Sequence, residues 1–466
     1  MRTPRNLTLI AAIVLLGSCA KQPVTPGLVS TSEMGTLRGQ HYVRVATHFH
    51  SPYSFDACDG KGFHEDGTID LTCLHDAKYA FCENHVNFVF FTDHVEHIVQ
   101  TDYAKLLLRE EGDTPVINGS GTTVGTQIHC PDGFTPVLAP GLEGQLLALG
   151  LEAHVAPDEA TRRAVYGGDT VTEKTALEGA GALVAIPHTE SRDTQALIAL
   201  QPDVIEIYNV HANLDPKIRK KWLGKKPFDK IAKFLNYIAD PYNSLHADFI
   251  FTDFLEYSDI YFEKWNALLA ANLHVTGVGG LDSHQNIFSQ KASDGQRLDS
   301  HRRMTRFFSN LVMTTGDDLS TIKAAIKAGK VYFAVEGLGT PVGQDFHGLI
   351  AGTPVEMGST LTAVAPQTSS LQFHVPAVHS QFPGMDSKNR PEIWAELHYI
   401  DSSAKETVVA RVVGAGTDLT YLEPPAGHYR IHVWMKPHHL KDFLFEEKHG
   451  DEAFQWMISN VIRVVR

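Results

Sequence analysis

From residue 42 to about 334 the chain alternates short apolar, β-branched runs with stretches of helical periodicity. Segments 42–47, 88–92, 137–140, 183–187, 204–208 and 275–278 are almost continuously hydrophobic, which predicts strands buried on both faces. Between them, 76–84, roughly 158–179, 193–200 and 261–271 space their apolar residues as helices do. Repeated strand–helix alternation predicts a parallel α/β sheet or barrel. Segment 211–260, rich in Lys and aromatic residues, exceeds an ordinary connection and is expected to be an insertion beside the site. One more amphipathic helix over 318–329 ends at Gly329 and leads into a strand over 331–335.

Beyond about residue 345 the period shortens. Alternating runs at 371–375, 393–400, 407–413 and 428–435, set off by Gly, Pro and Asp, predict a β-rich, sandwich-like unit. Segment 443–466 reads as a helix and a final strand. A chain of 466 residues accommodates two domains, here 41–340 and 345–466.

The first residues read as a targeting segment. Arg2 and Arg5 precede the apolar stretch 7–16, too short to span a bilayer comfortably but suited to a signal sequence. Leu16-Gly17-Ser18-Cys19 resembles a lipobox, which makes 1–19 a signal peptide and Cys19 the lipidated mature N-terminus. Ala20 after the Cys resembles the pattern of an outer-membrane lipoprotein facing the periplasm, held to the membrane by its lipid anchor. Residues 20–40, with Pro23, Pro26 and Gly27, read as a tether.

Composition narrows the chemistry. A formal charge of −14 argues against a surface that coats nucleic acid. The 25 histidines are the outlier, and histidine is a common ligand of zinc and related metals. Besides Cys19 there are Cys58, Cys73, Cys82 and Cys130, an even number compatible with disulfides in any of three connectivities. None has the CxxC spacing of a thiolate metal site.

Polar residues fall where the predicted strands end. The first strand runs into His48-Phe49-His50, and residues two apart on a strand share a face. Others end at Asp93-His94, Glu143, His188, Glu206 and Asp282-Ser283-His284. Strand ends of parallel barrels converge on the active site, so six strands delivering His, Asp or Glu there predict a metal centre. Asp93 and Glu206 are expected behind the ligands, orienting imidazoles.

This order resembles the polymerase and histidinol phosphatase (PHP) superfamily: His48-Phe49-His50-Ser51, Thr92-Asp93-His94, Gly141-Leu142-Glu143, Ile186-Pro187-His188 and Asp282-Ser283-His284 stand for its successive motifs. Residues 205–209 and 323–332 are similar to further family segments. The resemblance covers roughly 41–334 and implies a distorted seven-stranded (β/α) barrel holding two to three divalent metals. It would place His48, His50, Glu143 and Asp282 on one ion. Glu143 would bridge to a second, shared with His188 and His154. His94 and His284 would hold a third with Asp56, for which Asp59 is the rival. A mixed His and carboxylate shell suits Zn, Mn or Fe alike.

The function so implied is a metallophosphoesterase in which metal-activated hydroxide attacks a phosphate ester of a small molecule or polymer, with Glu143, Asp282 and His188 central. His211, His301, Arg302 and Arg303 are candidate phosphate contacts. An amide or C–N hydrolase on the same metals, and a non-catalytic surface module stabilised by metals, are the alternative readings.

Overall fold

The structure is a computed structural model that describes residues 28–466 except 229–230, 240–245, 293, 364–367, 382–383, 386–387 and 445–446. The expected signal peptide, Cys19 and the first part of the tether lie outside the described residues. Residues 28–40, expected to belong to that tether, instead join the fold. Leu28, Val29 and Met34 are buried, and Thr36–Leu37 pairs with the first long strand.

The strands that matter for the site are β1 (Gln40–Phe49), β2 (Phe88–Phe91), β3 (Val137–Pro140), β4 (Leu142–Glu143), β5 (Leu147–Leu149), β6 (Leu183–Ile186), β7 (Val204–Asn209) and β8 (Thr276–Gly280). β1, β2 and β3 pair in parallel, as do β6, β7 and β8. These ladders belong to two sheets, with β1–β3 in a 14-stranded sheet and β4–β8 in a five-stranded one. Isolated parallel bridges, His94 to Glu143 and Phe49 to Ser283, link the sheets at the strand ends. The ladders therefore do not run continuously around a seven-stranded ring. β4 and β5 depart from the parallel pattern, with β5 antiparallel to both β4 and β6.

Helices form near their expected places, with boundaries set by caps. Leu319–Lys327 starts at Asp318, whose side chain accepts from Thr321 N, and Thr194–Leu200 starts at Asp193 in the same way. The helix expected over 158–179 is two, Glu159–Tyr166 and Val171–Gly179. Gly167 and Gly168 interrupt the first, and a capping box between Thr170 and Glu173 starts the second. The 211–260 insertion supplies short helices, including Val210–Leu214, Pro216–Lys221 and Ile231–Ala239.

The C-terminal part is β-rich but continuous with the rest. β9 (Ser309–Thr314) and β10 (Val331–Ala334) extend the large sheet beside β1. β11 (Glu392–Ile400), β12 (Glu406–Val413), β13 (Gly427–Lys436), β14 (Phe454–Ser459) and β15 (Ile462–Val465) belong to that same sheet, through β14 on β10. A separate four-stranded antiparallel sheet contains Asp345–Ile350, Thr353–Glu356, Ser369–His374 and Asp418–Leu422. The helix expected after 443 is replaced by a short 3-10 turn, Glu447–Gly450, before β14 and β15.

Candidate metal centre

β1 is buried from Val43 to its end, and its last turns bring His48 and His50 to one face with ring centroids 5.2 Å apart. Backbone bonds tie the ligand-bearing strand ends to each other. Asp282 N donates to His48 O at 2.9 Å, His50 N to Ser283 O at 3.1 Å, and Glu143 N to Asp93 O at 3.0 Å. His188 and Asp282 sit in the left-handed region, at φ 49° and 52°, which non-glycine residues enter only when surroundings hold them. Asp282 is held by its backbone bond to His48 and by Asn209 Nδ2, 3.2 Å from Oδ2.

The side chains then converge. His48 Nε2 lies 3.2 Å from Glu143 Oε2 and 3.3 Å from Asp282 Oδ1. His50 Nε2 lies 3.4 and 3.3 Å from the same two atoms. On the other edge of Glu143, His188 Nε2 is 3.3 Å from Oε1 and 3.4 Å from Asp282 Oδ2. Asp56 Oδ2 is 3.5 Å from His94 Nε2 and 3.4 Å from His284 Nε2, and His94 Nδ1 is 3.3 Å from Glu143 Oε2. His48, His50, Glu143 and Asp282 offer one compact ligand set and His50, Asp56, His94 and His284 another.

Metal ions fit this donor set. His48 Nε2, His50 Nε2, Glu143 Oε2, Asp282 Oδ1 and His284 Nε2 are all buried without a hydrogen-bond partner. Each such atom costs about 1–3 kcal/mol if nothing satisfies it. Their separations match donors around one ion: four ligands at Zn–N and Zn–O distances stand about 3.3 Å apart in a tetrahedron. The opposite ring nitrogens are fixed by protein. Glu206 Oε1 accepts from His48 Nδ1 at 2.6 Å, and His50 Nδ1 meets Ser54 Oγ at 3.0 Å. Electrostatics are matched to this. Burial raises the carboxyl of Glu143, but His48, His188 and His50 outweigh it and hold the group well below its ordinary value. Asp282 is lowered in the same way, against its burial, with His48 and His284 foremost.

Several expected residues take other places. His154 is not in the cluster: its Nδ1 meets the Tyr166 hydroxyl at 2.9 Å and its Nε2 donates to Thr101 O at 2.8 Å, so neither nitrogen is left for a metal. Asp59 faces away and pairs with Arg297 at 2.6 Å, leaving the position to Asp56. Asp93 orients no imidazole; it accepts from Ser51 N and Ser51 Oγ, both at 2.6 Å, and so pins the turn after His50. Glu206 does lie behind His48, and its second oxygen accepts from His188 N at 2.9 Å. His301, Arg302 and Arg303 are buried rather than facing a substrate. His301 Nδ1 bonds Ser283 Oγ at 2.9 Å, while both arginines pair with Asp248.

His211 stands beside Asp282 and His284 as a third compact group, its ring 5.3 Å from that of His284. Three contributors were not singled out from the sequence. Ser54 supports His50, and Asn209 spans Glu206 and Asp282 from the end of β7. Arg192, half-buried four residues after His188, donates to Gln145 Oε1 at 2.9 Å and lies 3.9 Å from Asp169. For Asn209 the available signal was its place three residues after Glu206, and for Arg192 its place four residues after His188. Both cysteine pairs are joined, Cys58 to Cys73 and Cys82 to Cys130, and the first anchors the chain two residues after Asp56.

No protein-family model matches the chain, and no curated protein matches it. Among solved structures, a two-domain protein containing a predicted PHP-like metal-dependent phosphoesterase from Bacteroides vulgatus ATCC 8482 is 12% identical, covering 93% of this chain and 98% of that one at a TM-score of 0.38. PsfC from Pseudomonas syringae PB-5123 is 15% identical, over 61% and 87% of the two chains, at a TM-score of 0.32. At scores this low neither likeness carries weight, and the functional reading rests on the side chains.

Proposed function

We propose that the chain is a PHP-type metallophosphoesterase holding two to three divalent transition metals. The observation that carries this reading is the set of five buried, partnerless nitrogen and oxygen atoms on His48, His50, Glu143, Asp282 and His284. A distorted seven-stranded barrel is supported by the two bridges that join the sheets where the ligands lie.

His48, His50, Glu143 and Asp282 would hold one ion; Glu143 and Asp282 with His188 a second; Asp56, His94 and His284 a third. Bound divalent metals lower the pKa of water and neutralise phosphate oxygens. The protein supplies the positioning. Glu206 fixes which nitrogen of His48 faces the cluster and anchors the backbone of His188. Buried His48, His50, Glu143 and Asp282 form the floor, while half-buried His94, Asp56, His188, His211 and Arg192 leave an approach for a phosphate. His211, beside Asp282 and His284, would donate to the oxygens of that group. Glu143 would be the bridging carboxylate, a reading supported by one oxygen lying toward His48, His50 and His94 and the other toward His188.

The test is metal analysis of the purified protein followed by phosphomonoester and phosphodiester turnover. Two to three ions per chain with phosphoester cleavage is the expected result. Glu143→Gln should abolish turnover and lower metal content, while His154→Ala should keep the metal content. At most one ion after reconstitution, or tight metal binding with no phosphoester cleaved, defeats the proposal. For the cell-envelope location, radiolabelled fatty acid should enter the protein and be lost in Cys19→Ala; label retained by that variant overturns the lipobox.

A further inference from the structure

Away from the metal cluster, a cavity of about 830 Å³ opens between the helix Asp259–Ala270 and the sheet formed by β11, β12, β13 and β14. Its volume lies within the range of small-ligand sites. None of the proposed metal ligands lines it. Four aromatic side chains do, Tyr257, Phe262, Trp434 and Phe454, together with the carboxylates of Asp259, Glu263 and Glu406. No Lys or Arg is among the lining residues.

Two cations adjoin the wall: Lys405, exposed on the turn between Ala404 and Glu406, and Arg430, which is already committed. Arg430 is fully buried, donates to Glu406 Oε2 at 2.5 Å and to Asn266 Oδ1 at 2.8 Å, and lies over the rings of Phe262 and Trp265. Glu406 offsets the charge of Arg430, and the two exposed carboxylates of Asp259 and Glu263 outnumber the single exposed Lys405, which leaves the cavity net acidic. One polar atom remains unmatched. His398 Nδ1 donates to Glu406 Oε1 at 2.7 Å, and its buried Nε2 has no hydrogen-bond partner, with the Glu396 carboxylate 3.7 Å away.

His398, Glu406 and His432 come close enough to suggest a metal ion. The hydrogen bonds argue otherwise. His432 Nε2 accepts from Arg430 Nε at 3.0 Å and its Nδ1 meets the Gln455 amide at 2.5 Å, so the ring has no free lone pair. A guanidinium so close to a ligand nitrogen would also repel a divalent ion. Aromatic faces attract organic cations through their quadrupoles, and desolvated carboxylates add to that attraction.

We propose that this cavity binds a small organic cation, an ammonium group seated against the aromatic rings with Asp259 and Glu263 at the entrance and His398 Nε2 accepting a hydrogen bond from the ligand. The site is separate from the metal centre and does not depend on its chemistry.

The test is calorimetric titration of the full chain with ethylammonium and choline chloride, both of which carry a hydrogen-bond donor, and with glucose and sodium acetate as neutral and anionic probes. Saturable binding of the cations, weakened about tenfold by Trp434→Leu and several-fold by the exposed Glu263→Gln, is the expected result. Glu143→Gln should bind the cations as the parent chain does. The proposal is overturned by absence of saturable cation binding, by preferential binding of glucose or acetate, or by undiminished affinity in both cavity variants. Because Glu263 lies on the surface, its variant remains informative if Trp434→Leu fails to fold.

Discussion

The side-chain amide of Asn460 makes both hydrogen bonds of a β-ladder to Gly277, 183 residues earlier. Gly277 N donates to its Oδ1 at 2.8 Å, and its Nδ2 donates to Gly277 O at 2.9 Å. Asn310 does the same for Gly279, at 2.8 and 2.9 Å. Two asparagines thus stand in for a neighbouring strand along β8, which delivers Asp282. The glycines permit the approach: a Cβ at Gly279 would lie 2.4 Å from the Phe333 ring, and one at Gly277 2.8 Å from Ile207. Since Asn460 lies between β14 and β15, the C-terminal strands help to place Asp282.

Asn460→Ala should therefore leave the amide and carbonyl of Gly277 buried without partners. A loss of roughly 2–4 kcal/mol is expected from two such groups, read as a lower denaturant midpoint. Metal affinity should fall with it. Unchanged stability would show that the clamp is redundant.

Glu206→Gln tests orientation apart from coordination, because Glu206 reaches His48 Nδ1 and His188 N but neither metal-facing nitrogen. Metal affinity should drop about 10–100-fold, the usual effect of losing such a partner. Titration with a competing chelator measures it, and near-normal turnover should return at saturating metal.

Cys73→Ser opens the loop, 15 residues in separation, that the Cys58–Cys73 bridge closes two residues after Asp56. About 3 kcal/mol of stability should be lost from loop closure alone. If Asp56 serves the third ion, metal stoichiometry should fall by one while the His48 and His50 site stays filled. Equal loss of all ions would place the effect in global unfolding.

Asp248, outside the proposed ligand set, makes stability depend on acid. Burial raises its carboxyl, but Arg302, Arg306 and Arg303 outweigh this and hold it at about 2, against an ordinary 3.8. A lowered folded-state value means stability that is present above pH 3.8 and lost as pH falls through about 2, with a size of about 2 kcal/mol. Asp248→Asn should be destabilised by several kcal/mol at neutral pH, since it leaves buried arginines uncompensated. The gap from the parent chain should narrow between pH 4 and pH 2 in denaturant titrations; a gap constant across that window refutes the assignment.

Local pattern determined much of this protein. The apolar runs placed β1, β2, β3, β6 and β7 to within a few residues, because strands buried on both faces must be continuously hydrophobic. The alternation of His48 and His50 on one strand fixed that both face one way, whatever surrounds them. Sequence also placed Glu143, His188, Asp282 and His284 at strand ends. Whether those ends meet was decided in three dimensions, by parallel pairing and by bridges such as Phe49 to Ser283. The same holds for the residues whose expected roles changed. His154, Asp59, Arg302 and Arg303 have suitable chemistry, but a side chain's role is set by the partner it reaches first. For these the partners are Tyr166, Arg297 and Asp248, distant enough in sequence or structure that no local pattern reports them. The union of the C-terminal strands with the large sheet is likewise a tertiary fact, made by the pairing of β14 with β10. A strand's own sequence shows that it needs a neighbour, and only the folded chain shows which neighbour it takes.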